Sequence, residues 1–338
     1  MRRLILLLAL VPTFLLSGCV DEQEQDNTPE GNFHALWTLL DQRYCFFDYK
    51  GVDWAAVRAK HQARVRPQMT NAQLFEVLTD MLGELQDGHV NLYTAGDIAR
   101  YWHWYEDYPK NWDQELRDAY LGRDYMIASS LKYRILNDNI GYVVCESFNS
   151  GMGEGNIDQM LYNLRACDGL IIDVRGNGGG QLTNAERLAG HFTNEKRLVG
   201  YSMHKTGPAH NAFSEPRASY LVPSEGVRWQ KACIVLTNRE CYSACNIFVR
   251  DMMQCPGVLV LGDRTGGGSG MPFSSELPNG WQVRYSAEPS LDINRQHIEF
   301  GIDPDEKCSL DSVEALNGYD TLIETACRII RSGKTLAF

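Results

Sequence analysis

The sequence predicts an α/β fold with a small helical N-terminal domain, and three observations carry that expectation. Residues 32–86 repeat apolar positions at helical spacing. From about residue 138, short apolar runs of strand length alternate with helical stretches, the pattern of a sheet covered by helices. At 338 residues, the chain suits one large domain with a smaller appendage.

The clearest N-terminal helix is expected over 72–86, where Leu74, Val77, Leu78, Met81, Leu82 and Leu85 follow a Thr70-x-x-Gln73 capping box. Gly88 is placed as its C-terminal stop. Residues 101–125 crowd eight Tyr and Trp side chains into a charged stretch, read either as a binding wall or as packing between domains. Further on, Ile140–Cys145 and Leu170–Val174 are expected as buried strands around a helix at about 156–167. Cys233–Thr237 and Val258–Leu261 flank another helix at about 244–254, and an amphipathic helix at about 312–331 closes the chain.

Composition excludes several classes. Hydrophobic residues at 44% and charged residues at 22% are those of a globular protein. The net charge of −11, more negative still without Arg2 and Arg3, opposes nucleic-acid binding through phosphate neutralisation. Nine cysteines beyond Cys19 form no C-x-x-C pair, so no zinc knuckle is expected and most should be buried.

Residues 1–19 read MRRLILLLALVPTFLLSGC, the layout of an export signal too short to span a membrane. Leu16-Ser17-Gly18-Cys19 resembles the bacterial lipobox, which implies a signal peptide over 1–18, lipidation at Cys19 and attachment to a membrane of the cell envelope, with the body outside the cytoplasm. An acidic tether is expected over 19–31, a helical domain over 32–92, an aromatic-rich connection over 93–137, the α/β core over 138–331 and a tail over 332–338.

Four local features carry chemistry. The run Asp173-Val174-Arg175-Gly176-Asn177-Gly178-Gly179-Gly180 follows an apolar strand, so its unobstructed N–H groups suit an oxyanion hole as well as a tight turn. Ser243, between strand 233–237 and helix 244–254, stands where a nucleophile would meet a helix N-terminus, although a serine there is also an ordinary N-cap. A serine nucleophile needs a base, and no Lys occurs between Lys231 and Lys307, which leaves histidine. His89 stands in the motif-like setting Asp87-Gly88-His89, with His297 as its competitor. Finally, the glycine-rich segment 262–270 reads as a mobile loop at a cleft rim, and Glu299 as a carboxylate able to orient an imidazole.

Taken in order, D-G-H, D-x-R-x-N-x-G-G, T-N-x-x-x-x-S-A, G-x-x-T-G-G-G and E-x-G-I-x-P-D resemble the carboxyl-terminal processing and tricorn-core serine proteases over most of residues 32–330. The resemblance implies a ClpP/crotonase-like catalytic core without a PDZ domain. It further implies Ser243 as nucleophile, Ala244 with Gly178 or Gly179 as oxyanion hole, His89 as base and Glu299 as its support. Trp102, Trp104, Gly267 and Gly268 are the expected substrate-binding residues, a peptide or unfolded polypeptide the substrate, and no cofactor is implied. The chain departs from the tricorn-like pattern at Gly88, where those members carry a serine. Two other classes stay open: a non-catalytic module binding a hydrophobic ligand or peptide, as in the similar interphotoreceptor retinoid-binding proteins, and an acyl-CoA enzyme of crotonase type.

Overall fold

The computed structural model describes residues 26–106 and 108–333. The expected export signal and Cys19 lie outside the described residues. The helices are α1 (Pro29–Arg43), α2 (Phe47–Lys50), α3 (Trp54–Gln62), α4 (Asn71–Gly83), α5 (Gln114–Leu121), α6 (Glu154–Leu164), α7 (Leu182–Gly190), α8 (Ala244–Met252), α9 (Ser312–Leu316) and α10 (Thr321–Arg331). The strands are β1 (Asn91–Tyr93), β2 (Ile98–Arg100), β3 (Met126–Ala128), β4 (Leu131–Ile135), β5 (Ile140–Cys145), β6 (Gly169–Asp173), β7 (Arg197–Ser202), β8 (Arg217–Leu221), β9 (Cys233–Thr237), β10 (Val258–Gly262), β11 (Gly270–Glu276), β12 (Gln282–Leu291) and β13 (Glu306–Lys307).

A seven-stranded sheet runs β13-β10-β9-β6-β5-β4-β3. The pairings from β13 through β5 are parallel, whereas β4 and β3 run antiparallel. Strands β5, β6, β9 and β10 are buried along their whole length, which explains why they read as continuous apolar runs rather than alternating ones. One face packs on Leu161, Leu188 and Phe248 of α6, α7 and α8; the other packs on Leu322, Ile323 and Ala326 of α10.

A second sheet, β2-β1-β12-β7-β8 with β11 on β12, joins the two ends of the chain. Val283, Tyr285 and Ala287 of β12 lie in one apolar core with Leu36, Leu40, Leu78 and Met81 of the N-terminal helices. His89, just ahead of β1, is thereby carried to the larger sheet.

Several boundaries differ from expectation. Thr28 caps α1, so Pro29, Glu30 and Gly31 belong to a helix rather than to a tether. The capping box at Thr70 and Gln73 forms, but α4 ends at Gly83 and the left-handed residue beyond it is Gln86 (φ 46°), not Gly88. The last helix breaks into α9 and α10 at Asn317-Gly318, where Gly318 takes φ 84°. The aromatic segment is half-buried, with Trp102 and Tyr108 exposed, and two of its rings are tied to the larger domain: Trp112 Nε1 donates to Glu240 Oε2 (2.7 Å) and Tyr120 to Glu324 Oε1 (2.6 Å). The nine cysteines from Cys45 to Cys327 are all unpaired thiols, eight of them buried.

The motif arginine has a structural task. Arg175 is fully buried between Asp173 (2.7 Å) and Asp320 (3.0 Å), and Asp320 also caps α10. Because Arg175 would be left with a buried, partly unpaired charge, Asp320→Ala is expected to destabilise the fold by about 3–5 kcal/mol, read from the urea midpoint. Asp320→Asn, which can still cap the helix, should cost less; an unchanged midpoint in Asp320→Ala would show that Arg175 does not hold the helix down.

Candidate active site

Strands β6, β9 and β10 are parallel neighbours, so the loops at their carboxyl ends converge on one edge of the sheet, the usual position for ligands in open α/β sheets. These loops carry residues 174–180, Ser243 and 263–269, three of the four segments singled out by sequence.

Ser243 precedes α8 with φ 58° and ψ −122°, a conformation costly for any residue with a Cβ, on the order of 1–3 kcal/mol. Backbone hydrogen bonds hold it there: Ser243 N donates to Gly267 O (2.8 Å) and Tyr242 N to Asn177 O (3.1 Å). The hydroxyl does not cap the helix. It lies 2.9 Å from His89 Nε2, in position to donate to a ring nitrogen that carries no proton.

The glycine run divides. Gly179 N–H donates to Asn177 Oδ1 (2.9 Å) and is therefore engaged, whereas the N–H groups of Gly178 and Ala244 have no hydrogen-bond partner among the described residues. Gly179 still has to be glycine. It takes φ 100°, and a Cβ there would stand 2.8 Å from Ser243 Cβ and 2.9 Å from Ala244 N. Its small size lets the two strand ends close on each other.

His89 is buried, and burial pushes its pKa down to about 4 against the raising effect of Asp87. Its main chain is set by Asp87, whose Oδ1 accepts from His89 N (2.8 Å). Asp87 Oδ2 accepts in turn from Tyr44 and Ser286, each at 2.9 Å. The ring stands 5.1 Å from Tyr242, and its Nδ1 is buried without a hydrogen-bond partner.

Glu299 is not where it was expected to act. It makes no hydrogen bond to His89: Oε1 pairs with Lys50 Nζ (2.9 Å) and Oε2 accepts from Ser269 N (2.8 Å). Burial first, and Asp87 as well, push its pKa up to about 7 against the pull of Lys50. Lys50 is the buried neighbour that sequence reasoning missed, because nothing local marks it; only folding brings α2 beneath the site. His297 lies instead against Tyr49 (4.2 Å between ring centres) and Phe46 (5.8 Å).

The expected substrate-binding residues also separate. Gly267 and Gly268 are buried and stitched to Ser243 and Glu299 by backbone hydrogen bonds, so this is packed scaffold rather than a mobile rim. Trp102 is exposed beside Arg100, while Trp104 stacks on Tyr242 at 4.2 Å. That stack accounts for Gly88. A Cβ at position 88 would meet Tyr242 Oη at 2.8 Å and Trp104 Nε1 at 2.9 Å, which leaves no room for a serine ahead of His89.

Comparisons with known proteins agree with this architecture. The family model described as Peptidase family S41 matches residues 139–308, and that of the Tricorn protease C1 domain matches residues 25–83. A solved structure from Parabacteroides merdae ATCC 43184, provisionally designated a peptidase, is 50% identical. It superposes with a TM-score of 0.86 over 90% of this chain and 97% of its own. Mature CPAF, 12% identical, superposes at 0.68 over 92% of this chain and 99% of its own, a likeness of fold. The carboxy-terminal processing protease CtpA of Bacillus subtilis (strain 168) is 22% identical over 64% of this chain. The chain spans 44% of that relative's length.

The close fit around position 88 yields a test of the packing. Gly88→Ser is expected to lower Tm by several degrees, as overpacking costs about 1–3 kcal/mol. Adding Trp104→Ala should recover part of that loss relative to Trp104→Ala alone, because the two positions compete for one volume. Strictly additive changes in Tm would show that Trp104 is not what excludes a side chain at 88.

Proposed function

The chain belongs to peptidase family S41, and from that premise we propose that it hydrolyses peptide bonds of peptides or unfolded polypeptides through an acyl-enzyme on Ser243. The observation that carries this reading is the 2.9 Å approach of His89 Nε2 to the Ser243 hydroxyl at the N-terminus of α8. Two unengaged N–H groups, of Ala244 and Gly178, lie on the loops that meet there.

In the proposed reaction, His89 accepts the hydroxyl proton as Ser243 attacks the scissile carbonyl, and later gives it to the leaving amine. The N–H groups of Ala244 and Gly178 receive the developing oxyanion, and the α8 N-terminus adds its partial positive charge. Gly179 serves as the spacer that lets these groups approach. Asp87 supplies the negative charge nearest the imidazolium; Glu299 acts one step removed, through Lys50 and Ser269. Water then hydrolyses the ester. Burial of His89 keeps the imidazole neutral, and so able to act as a base, well below the usual imidazole range.

A fluorophosphonate probe tests the scheme. The parent should be labelled, Ser243→Ala and His89→Ala should not, and the labelling rate should hold from neutral pH down until it falls near pH 4 as the imidazole protonates. Unchanged labelling in Ser243→Ala would sink the proposal. A folded parent that takes no label would favour the non-catalytic binding module.

We further propose that the folded body is tethered outside the cytoplasm by a lipid on Cys19, from the lipobox-like Leu16-Ser17-Gly18-Cys19. A membrane pool of the parent should persist in high salt and dissolve in detergent. Cys19→Ser should lose that pool; equal membrane retention in both would remove the anchor.

A further inference from the structure

A buried cation lies beside the two carboxylates of the site without touching the reacting groups. Lys50, the last residue of the four-residue helix α2, has a side chain only 5% exposed. Its Nζ faces four oxygens: Glu299 Oε1 (2.9 Å), Gln86 O (3.3 Å), Leu85 O (3.4 Å) and Asp87 Oδ2 (3.4 Å). We propose that Lys50 is a positioning residue that ties the base-bearing turn to the nucleophile-bearing loop and sets the field in which His89 takes up the serine proton. The proposal rests on the acyl-transfer reading above.

Two chains of contacts leave the ammonium. One runs through Asp87, whose Oδ2 faces the ammonium and whose Oδ1 accepts from the main-chain N–H of His89. The other runs through Glu299, whose side chain accepts from Ser269 N and whose carbonyl accepts from Gly268 N, beside the Gly267 carbonyl that receives Ser243 N–H. Lys50 is thus the group on which both partners of the 2.9 Å contact are referenced. It makes no contact with Ser243 itself. Asp87 and Glu299 hold its charge against burial, so it is no base.

The charge count gives Lys50 its electrostatic role. Two buried carboxylates share one ammonium, so Asp87 stays ionised while Glu299 binds its proton more tightly than an exposed carboxylate would. The groups facing His89 are Asp87 on its own turn, Lys50 of α2, Arg284 of β12 and Tyr242 of the serine loop; Tyr44 and Cys45, after α1, face the two carboxylates. Lys50 and Arg284 both disfavour the imidazolium, and Asp87 favours it. Apolar side chains in place of a whole buried ion-pair cluster are often no less stable, whereas removal of the ammonium alone leaves buried carboxylates without their counter-charge. The charge is therefore best explained by what it does to its neighbours.

The experiment follows the pH dependence of fluorophosphonate labelling in the full chain for the parent, Lys50→Met and Lys50→Arg. Loss of the ammonium protonates one carboxylate and leaves the other facing the imidazole, so the rising limb in Lys50→Met should move up by about one pH unit. The rate above the limb should fall roughly ten-fold as the tie between turn and loop is lost. Lys50→Arg, which keeps the charge, should return the limb toward the parent's. Should Lys50→Met fail to fold, Lys50→Met/Glu299→Gln, which removes the surplus carboxylate together with the ammonium, is read for the same upward shift. A parent that takes no label overturns both readings; a labelled parent whose limb is unmoved in the folded Lys50 variant, whatever its Tm, overturns this one alone.

Discussion

Everything at the site depends on the backbone at Ser243 being held at a positive φ. Left to itself, a serine ahead of a helix would adopt an extended conformation and turn its hydroxyl back onto the free N–H groups. Hydrogen bonds from Tyr242 to Asn177 and from Ser243 to Gly267 forbid that, because each belongs to a loop fixed by a neighbouring parallel strand. Once the backbone is turned, the hydroxyl points to His89 and the helix N-terminus is left open. The strain is thus local while the restraint is distributed over three loops.

The proposed base arrives by a different route. His89 stands ahead of β1, which pairs with β12 of the second sheet, and that sheet shares its core with the N-terminal helices. The 2.9 Å contact therefore joins two packing units, and small shifts between them would be felt directly at the reacting atoms. Buried polar groups support the same contact. Asp87 accepts from Tyr44 and Ser286 within the unit that carries His89, and Lys50 reaches Glu299, whose carbonyl accepts from Gly268 N beside the Ser243 loop, so directional bonds add to the apolar contact.

Much of the fold was legible in the sequence for identifiable reasons. Strands β5, β6, β9 and β10 are buried on both faces, so their runs of Val, Ile and Leu left little choice of element. The capping box before α4 was equally plain, since both its hydrogen bonds are local. The helix ends were not. Gln86 turns left-handed, which its residue type does not mark, whereas Asn317-Gly318, with Gly318 at φ 84°, is a local stop that the expectation of one helix to residue 331 passed over. The segment 262–270 looked mobile because glycine is permissive; in the fold its glycines are needed where neighbouring backbones press closest.

The sequence by itself determined the order of the chemical segments, the strand-to-helix setting of Ser243 and the want of a lysine between Lys231 and Lys307, because these depend on residue type and on neighbours along the chain. Tertiary structure alone decided which glycine N–H stays unengaged, that Glu299 meets Lys50 and Ser269 instead of His89, and that Trp104 and Tyr242 fill the space beside Gly88. The first turns on how the glycine run folds back, where the Asn177 side chain takes the N–H of Gly179 two residues on. The other two depend on distances between groups remote in sequence, and those distances exist only after the two sheets have packed.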